Sequence, residues 1–274
     1  PGRVAELLQL LRRRKALVLQ GPPGTGKSLL ARRLAALLSP PARTEHLQLH
    51  AGYAYDDFIL GYRPAPGGGF SLREGLLLRL ARQAQADPSH AWVLILDELN
   101  RANVGAVLGE ALTLLPAELR GPEHSLALPA AAPDAPRFWL PANLHVVATM
   151  NTADRSLTPL DYALRRRFAF ATLQPEFGPR FQTWLTAQGV PHDLTQRLAT
   201  ALVELNASLA ADPSLGPDFL LGHSYFTTPP TPDPPTWLNN ILNHDLAPLL
   251  HDYFPDEPAT ARRHLRTLRQ TLDI

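Results

Sequence analysis

Residues 16–28, ALVLQGPPGTGKS, constrain this chain more than any other stretch. Ala16–Gln20 is an apolar run of strand length, a glycine-rich turn follows at once, and Leu29–Leu38 favours helix. This is G-x-x-x-x-G-K-[ST] between a strand and a helix, the setting in which the pattern signifies a phosphate-binding loop. Gly21, Gly24 and Gly26 let the main chain close around phosphate oxygens, so that N–H groups and the helix N-terminus face the anion. Lys27 adds a positive charge at the β- and γ-phosphates, and Ser28 supplies a hydroxyl for Mg²⁺. The nucleotide-binding set read here is Gly21, Pro22, Pro23, Gly24, Thr25, Gly26, Lys27 and Ser28, with Leu29 beginning the helix. The stretch predicts an α/β fold that binds a nucleoside triphosphate.

A second constraint lies downstream. Trp92–Leu96 is continuously apolar, as in a strand of a parallel sheet covered on both faces, and it ends in Asp97-Glu98. Ligands of open α/β sheets bind at the carboxyl ends of strands. Asp97 is therefore read as a Mg²⁺ carboxylate, directly or through water, and Glu98 as the base for an attacking water. A further apolar strand, Leu144–Thr149, runs into Met150-Asn151-Thr152-Ala153-Asp154-Arg155-Ser156, a polar cluster placed to meet a γ-phosphate or a lytic water. Leu160–Arg167 reads as a short helix ending in Arg165, Arg166 and Arg167, and Phe168–Leu173 as a fifth strand. Those arginines complement a helix C-terminus and are also candidates for a finger offered to a neighbour's phosphate.

The remaining elements follow from periodicity and punctuation. Arg3–Arg14 is an amphipathic helix with a basic tail, and His46–His50 a short strand. Gly52–Pro64 is aromatic and acidic, Pro66–Gly69 reads as a flexible loop, and Glu74–Ala86 and Leu99–Leu115 as helices. Ser125–Leu128 and Arg137–Leu140 form two β-type pieces of a hairpin insertion within residues 121–143. Beyond Gln174-Pro175 strand signals cease; Phe181–Gln188, Leu194–Ala210, Thr236–Tyr253 and Ala259–Leu272 read as helices. The expected domains are a nucleotide-binding α/β domain over 1–174 and a small helical lid over 175–274.

Composition narrows the chemistry. There are no cysteines, which removes disulfides, zinc–thiolate sites and thiol catalysis and suits the cytoplasm. The net charge of +1 gives no global attraction to nucleic acid, so any DNA contact needs a local patch. No run of eighteen apolar residues and no signal-peptide pattern is present, so no membrane partner is expected. The chain opens on proline rather than methionine, and a piece of a longer protein is expected.

With these motifs placed, the chain resembles the AAA+ ATPases and, more narrowly, the McrB family of motor subunits from modification-dependent restriction systems. The resemblance is carried by GPPGTGKS (21–28), HAGYAYDDFILGYRP (50–64), LDELNRAN (96–103), MNTADRSL (150–157), DYALRRRF (161–168) and GHSYF (222–226), and runs from about residue 16 to 254. It implies an AAA+ P-loop NTPase with a parallel five-stranded sheet and a small C-terminal helical lid. Asp97 and Glu98 would be the metal and catalytic acids, and Asn151 the sensor, in a signature loop reaching to Arg155. Arg166, then Arg165, would be the finger acting in trans. Asp161 would stand near the nucleotide at the subunit interface; Asn100, Arg101, Asp154 and Arg155 would serve the interface and its coupling. The resemblance also implies a homo-oligomeric, hexameric ring, GTP in preference to ATP, a McrC-like nuclease partner, and hydrolysis that drives DNA translocation. It alone favours GTP, because nothing in the motif physics selects guanine. Asn151-Thr-Ala-Asp154 is superficially like the Asn-Lys-x-Asp guanine motif, but its place after the fourth sheet strand points to phosphate.

The chain departs from the family in two respects. Only a short helix precedes the phosphate loop, so DNA reading is expected in another domain or partner, and the lid lacks the Gly-Ala-Arg sensor of many AAA+ proteins, leaving His223 as either a nucleotide neighbour or a buried structural residue. A MoxR-like remodelling ATPase and a nucleotide-dependent scaffold without turnover are the alternatives. DNA-stimulated hydrolysis separates the first; the intact Lys27, Asp97, Glu98 and Asn151 argue against the second.

Overall fold

The computed structural model describes residues 2–154, 162–228 and 233–274. Two compact units emerge from the contact pattern. The first comprises the residues up to Gln20 together with Lys27–Thr172; the second comprises Gly21–Gly26 and Leu173–Ile274.

The first unit is built on a five-stranded parallel sheet. Its strands are β1 (Ala16–Gly21), β2 (Thr44–Gln48), β5 (Trp92–Asp97), β6 (Leu144–Asn151) and β7 (Ala169–Thr172), in the order β2-β5-β6-β1-β7. The sequence pattern explains the order. The continuous apolar runs of β1, β5 and β6 are buried along nearly their whole length and occupy the centre, whereas β2 and β7 are partly exposed and form the edges. Register pairs Gln48 with Asp97, Leu96 with Ala148 and Leu17 with Ala169, and the Val146 N–H donates to the Lys15 carbonyl at 2.8 Å. The carboxyl ends of three adjacent strands thus come together: β5 with Asp97, β6 with Asn151, and β1, from which the phosphate loop departs. Helices α1 (Gly2–Arg14), α2 (Lys27–Leu38) and α4 (Leu76–Ala86) turn apolar stripes inward, including Leu7, Leu11, Leu34, Leu77 and Leu80.

Four local expectations change. The stretch after Gly52 contains a one-turn helix α3 (Tyr55–Phe58) and an antiparallel hairpin, β3 (Leu60–Pro64) with β4 (Phe70–Glu74), so Pro66–Gly69 is the tip of a hairpin. Gly68 and Gly69, at φ 88° and 78°, supply the reversal. Helix α4 begins at Leu76 rather than Glu74, because Glu74 pairs with Leu60 and the Gly75 N–H donates to the Ile59 carbonyl at 2.7 Å. Leu99–Leu115 is not one helix: 3₁₀ turns at Leu99–Arg101 and Gly109–Leu114 flank α5 (Val104–Leu108), and Gly109 takes φ 49° beside the Tyr55 ring. The insertion holds a single antiparallel bridge, Leu126 with Phe138, in place of two strands. Pro129, Pro133 and Pro136 remove the donors a longer ladder needs. Behind it, the buried Arg120 guanidinium donates to the carbonyls of Leu115, Pro141 and Leu144 at 2.8–3.4 Å, tying the ends of the insertion to the sheet. Burial draws its pKa down to about 9.

The second unit is helical after Leu173: α7 (Pro179–Ala187), α8 (His192–Ala211), α9 (Pro234–Ile241), α10 (Ala247–Tyr253) and α11 (Pro258–Leu272). A π turn, Leu242–Leu246, joins α9 to α10, so the helix expected over Thr236–Tyr253 is continuous but locally widened. Its core gathers Leu198, Leu202, Leu209, Phe226, Leu238, Leu242 and Leu246. Among the described residues no helix is long and apolar enough to cross a membrane.

Candidate active site

In the first unit the strand ends assemble a polar cluster. Asp97 is its centre: Oδ1 accepts the hydroxyls of Ser28, at 2.9 Å, and Thr149, while Oδ2 lies 3.5 Å from His46 Nε2. Thr149 also accepts the Glu98 N–H at 3.2 Å, so one hydroxyl links both acids of the pair. Glu98 is in the left-handed region at φ 58°, ψ 50°, an unfavourable geometry for a residue with a Cβ that turns its side chain out of the strand direction. The Asn151 amide donates to both its oxygens, at 3.1 and 3.2 Å, and Arg101 Nε approaches Oε2 at 3.4 Å. Asn100, buried behind, donates from Nδ2 to the Asn151 carbonyl at 3.0 Å. Two adjacent strand ends are therefore cross-linked by side chains on both sides of the acidic pair.

Lys27 is 6% exposed, at the start of α2. Desolvation lowers its pKa to about 8, against the opposing pull of Glu98, Asp154 and Asp97. Asp154 Oδ2 is buried without a hydrogen-bond partner among the described residues. Leu29, one residue beyond Ser28, is 71% exposed. Among the described residues no cluster of three or more His, Cys, Asp or Glu side chains could hold a metal ion. The Ser28 hydroxyl beside the Asp97 carboxylate is instead the donor set that suits Mg²⁺, which takes one or two protein oxygens and completes its shell with phosphate and water.

The Gly21–Gly26 segment belongs to the second unit because its main chain is paired there. The Gly222 N–H donates to the Pro23 carbonyl at 3.1 Å and the Ser224 N–H to the Gly24 carbonyl at 2.8 Å. Gly24 and Gly26 take φ 75° and 79°, and the Thr25 hydroxyl closes the turn on the Pro22 carbonyl at 2.9 Å.

Of the arginines on α6 (Tyr162–Arg167), Arg165 lies over the Phe170 ring at 5.7 Å. Arg166 is exposed, and its guanidinium has no partner among the described residues. Arg155 and Asp161 lie outside the described residues. Sequence reasoning missed Thr149 and His46, single polar residues in otherwise ordinary strands, and the pairing of Gly222 and Ser224 with the phosphate loop.

A sheet with this strand order, a phosphate loop after β1, an Asp-Glu pair ending β5 and an asparagine ending β6 define an AAA-type NTPase domain. Residues 16–168 match the AAA domain of the dynein-related subfamily, and the chain belongs to that family. Residues 197–262 match the α-helical lid domain of McrB, which makes this an McrB-family AAA domain with its lid. The chain is 40% identical over 267 residues to the type IV methyl-directed restriction enzyme EcoKMcrB subunit of Escherichia coli strain K12, covering 93% of this chain and 57% of that protein. It is 27% identical over 195 residues to the type II restriction enzyme BsuMI component YdiS of Bacillus subtilis strain 168, covering 58% of this chain and 57% of the relative. The chain thus spans somewhat over half the length of either relative.

Proposed function

We propose that this domain is the GTP-hydrolysing motor of a modification-dependent restriction complex. The observation that carries the hydrolytic part is the Asn151 amide on both Glu98 oxygens, beside an Asp97 carboxylate already engaged by Ser28. Lys27 and the phosphate loop bind the β- and γ-phosphates. Ser28 and Asp97 would hold Mg²⁺, which would supply charge neutralisation at the phosphates. Glu98, aimed by Asn151, accepts the proton of the attacking water; its hydrogen-bonded backbone N–H and carboxylate fix that aim before substrate arrives. Thr149 holds Asp97 and Glu98 in one register.

The assembly is proposed as a homo-oligomeric, hexameric ring in the cytoplasm, with a McrC-like nuclease subunit and with DNA bound through another domain or partner. The family membership and the likeness to a type IV methyl-directed restriction subunit support this reading. GTP is favoured over ATP on the same ground. Arg166 is the finger offered to a neighbouring site, since its guanidinium is exposed and has no partner among the described residues, while Arg165 lies over the Phe170 ring. Asn100, Arg101, Asp154 and, beyond the described residues, Arg155 and Asp161 serve the subunit interface.

Glu98→Gln and Arg166→Ala test the assignment together. Each variant alone is expected to bind nucleotide and not turn it over. Mixed protomers are expected to regain hydrolysis, because sites that join an intact Glu98 to an intact Arg166 reappear. Normal steady-state turnover by Glu98→Gln removes Glu98 as the base; a mixture that stays inactive removes Arg166 as a finger in trans.

A further inference from the structure

The segment Leu221–Phe226 of the second unit has no part in the hydrolytic chemistry above, yet it is built against the phosphate loop. Asn206, buried on α8, donates from Nδ2 to the Leu221 carbonyl at 3.0 Å and accepts the Leu221 N–H at 2.7 Å. The next residues follow onto the loop: Gly222 N–H to the Pro23 carbonyl and Ser224 N–H to the Gly24 carbonyl. A Cβ at Gly222 would lie 2.0 Å from the Gly24 carbonyl carbon, so only glycine permits this approach. His223 stands between these two main-chain hydrogen bonds, and its Cα is fixed from both sides.

The ring is oriented by a main-chain hydrogen bond of its own. The Glu176 N–H donates to Nδ1 at 3.3 Å, so in the neutral ring the proton resides on Nε2. Burial, acting against the Glu176 charge, lowers the His223 pKa from its ordinary value and keeps the ring neutral near pH 7. Nε2 lies 3.9 Å from the point a Gly26 Cβ would occupy, and among the described residues it has no hydrogen-bond partner. An N–H donor therefore stands beside the glycine that precedes Lys27, with no acceptor among the described residues.

We propose that His223 is a phosphate-binding residue, its Nε2–H donating to an oxygen at the β/γ end of the nucleoside triphosphate held by the Gly21–Gly26 loop. The proposal rests on the nucleotide-binding reading above and extends the phosphate site to a side chain about 200 residues away in sequence.

Two substitutions separate this role from a structural one. His223→Asn keeps an acceptor for the Glu176 N–H at the position of Nδ1 and loses the distal donor. His223→Gln places an amide N–H where Nε2 stood. Calorimetric titration of the full chain with GMPPNP and with AMPPNP is expected to give about tenfold weaker binding for His223→Asn, the order of one hydrogen bond to a charged group. His223→Gln is expected to bind as wild type does, and both variants to keep the wild-type unfolding midpoint without nucleotide. Wild-type affinity in His223→Asn overturns the proposal, and so does an equal loss in both variants. If His223→Asn is misfolded, His223→Gln decides alone: retained affinity supports the donor and a tenfold loss refutes it. A wild type that binds neither analogue overturns the nucleotide reading as well, whereas binding that is abolished by Lys27→Ala but untouched by His223→Asn overturns only the histidine's role.

Discussion

Asn151→Ala tests the site's geometry where the argument is sharpest. In the wild type the Asn151 amide donates to Glu98 Oε1 at 3.1 Å and to Oε2 at 3.2 Å, and no other side chain among the described residues holds both oxygens. Hydrogen bonds to a charged group are worth about 1.5–3 kcal/mol, and each 1.4 kcal/mol or so is tenfold in rate, so freeing the carboxylate is expected to lower kcat by about 10- to 100-fold. The Asn151 carbonyl, which accepts from Asn100 at 3.0 Å, is retained, so the strand end keeps its position. Because the amide touches Glu98 rather than the phosphate loop, binding of a non-hydrolysable triphosphate is expected to change little. Asn151→Asp replaces the donor by a second carboxylate, which repels the Glu98 oxygens instead of holding them, and is expected to lower kcat at least as far. Steady-state hydrolysis at saturating nucleotide, paired with calorimetric binding, reads all three effects. An Asn151→Ala enzyme with wild-type kcat refutes the assignment of Asn151 as the group that aims Glu98; weakened binding with unchanged kcat places Asn151 on the nucleotide instead.

Two further outcomes follow from the same geometry. Lys27, with its pKa lowered by burial to about 8, is charged below that pH in the free protein and neutral above it. Bound phosphate favours the charged form, so triphosphate affinity is expected to hold level below pH 8 and then fall, approaching about tenfold per pH unit, until the pKa of the bound state is reached; a curve that stays flat to pH 9.5 contradicts the burial argument. Gly222→Ala forces a Cβ to within 2.0 Å of the Gly24 main chain and disrupts the hydrogen bonds to Pro23 and Gly24. It is expected to cost about 2–4 kcal/mol in denaturant unfolding, against little change for Gly67→Ala, whose Cβ meets nothing; equal stability of the two variants contradicts the close approach.

The central strands and the acidic pair were legible because they are local: β1, β5 and β6 are continuous apolar runs, each ending in a recognisable polar signature. The hairpin of β3 and β4 was not, since a Pro-Gly-Gly-Gly tip reads equally as a flexible loop, and only the pairing of Tyr62 with Leu72 and of Leu60 with Glu74 makes it a turn. The insertion failed in the opposite direction. Its β-type residues promised strands, but prolines leave the bridge at Leu126 and Phe138 nothing to extend into. Within the site, Asp97 and Glu98 announce themselves as paired charges at a strand end, whereas Thr149 is one hydroxyl in an apolar strand and acquires meaning only through the register that sets β6 beside β5. The pairing of Gly222 and Ser224 with the phosphate loop joins residues about 200 apart in sequence, and no local pattern could reveal it.

Steady-state hydrolysis of GTP and ATP, measured side by side over a range of protein concentrations, tests the central claim most directly. A motor whose site is completed by Arg166 of a neighbouring copy is expected to hydrolyse GTP in preference to ATP, with specific activity rising steeply as the protein assembles. Preference for ATP, or specific activity independent of concentration, contradicts the account of a GTP-driven ring with shared sites.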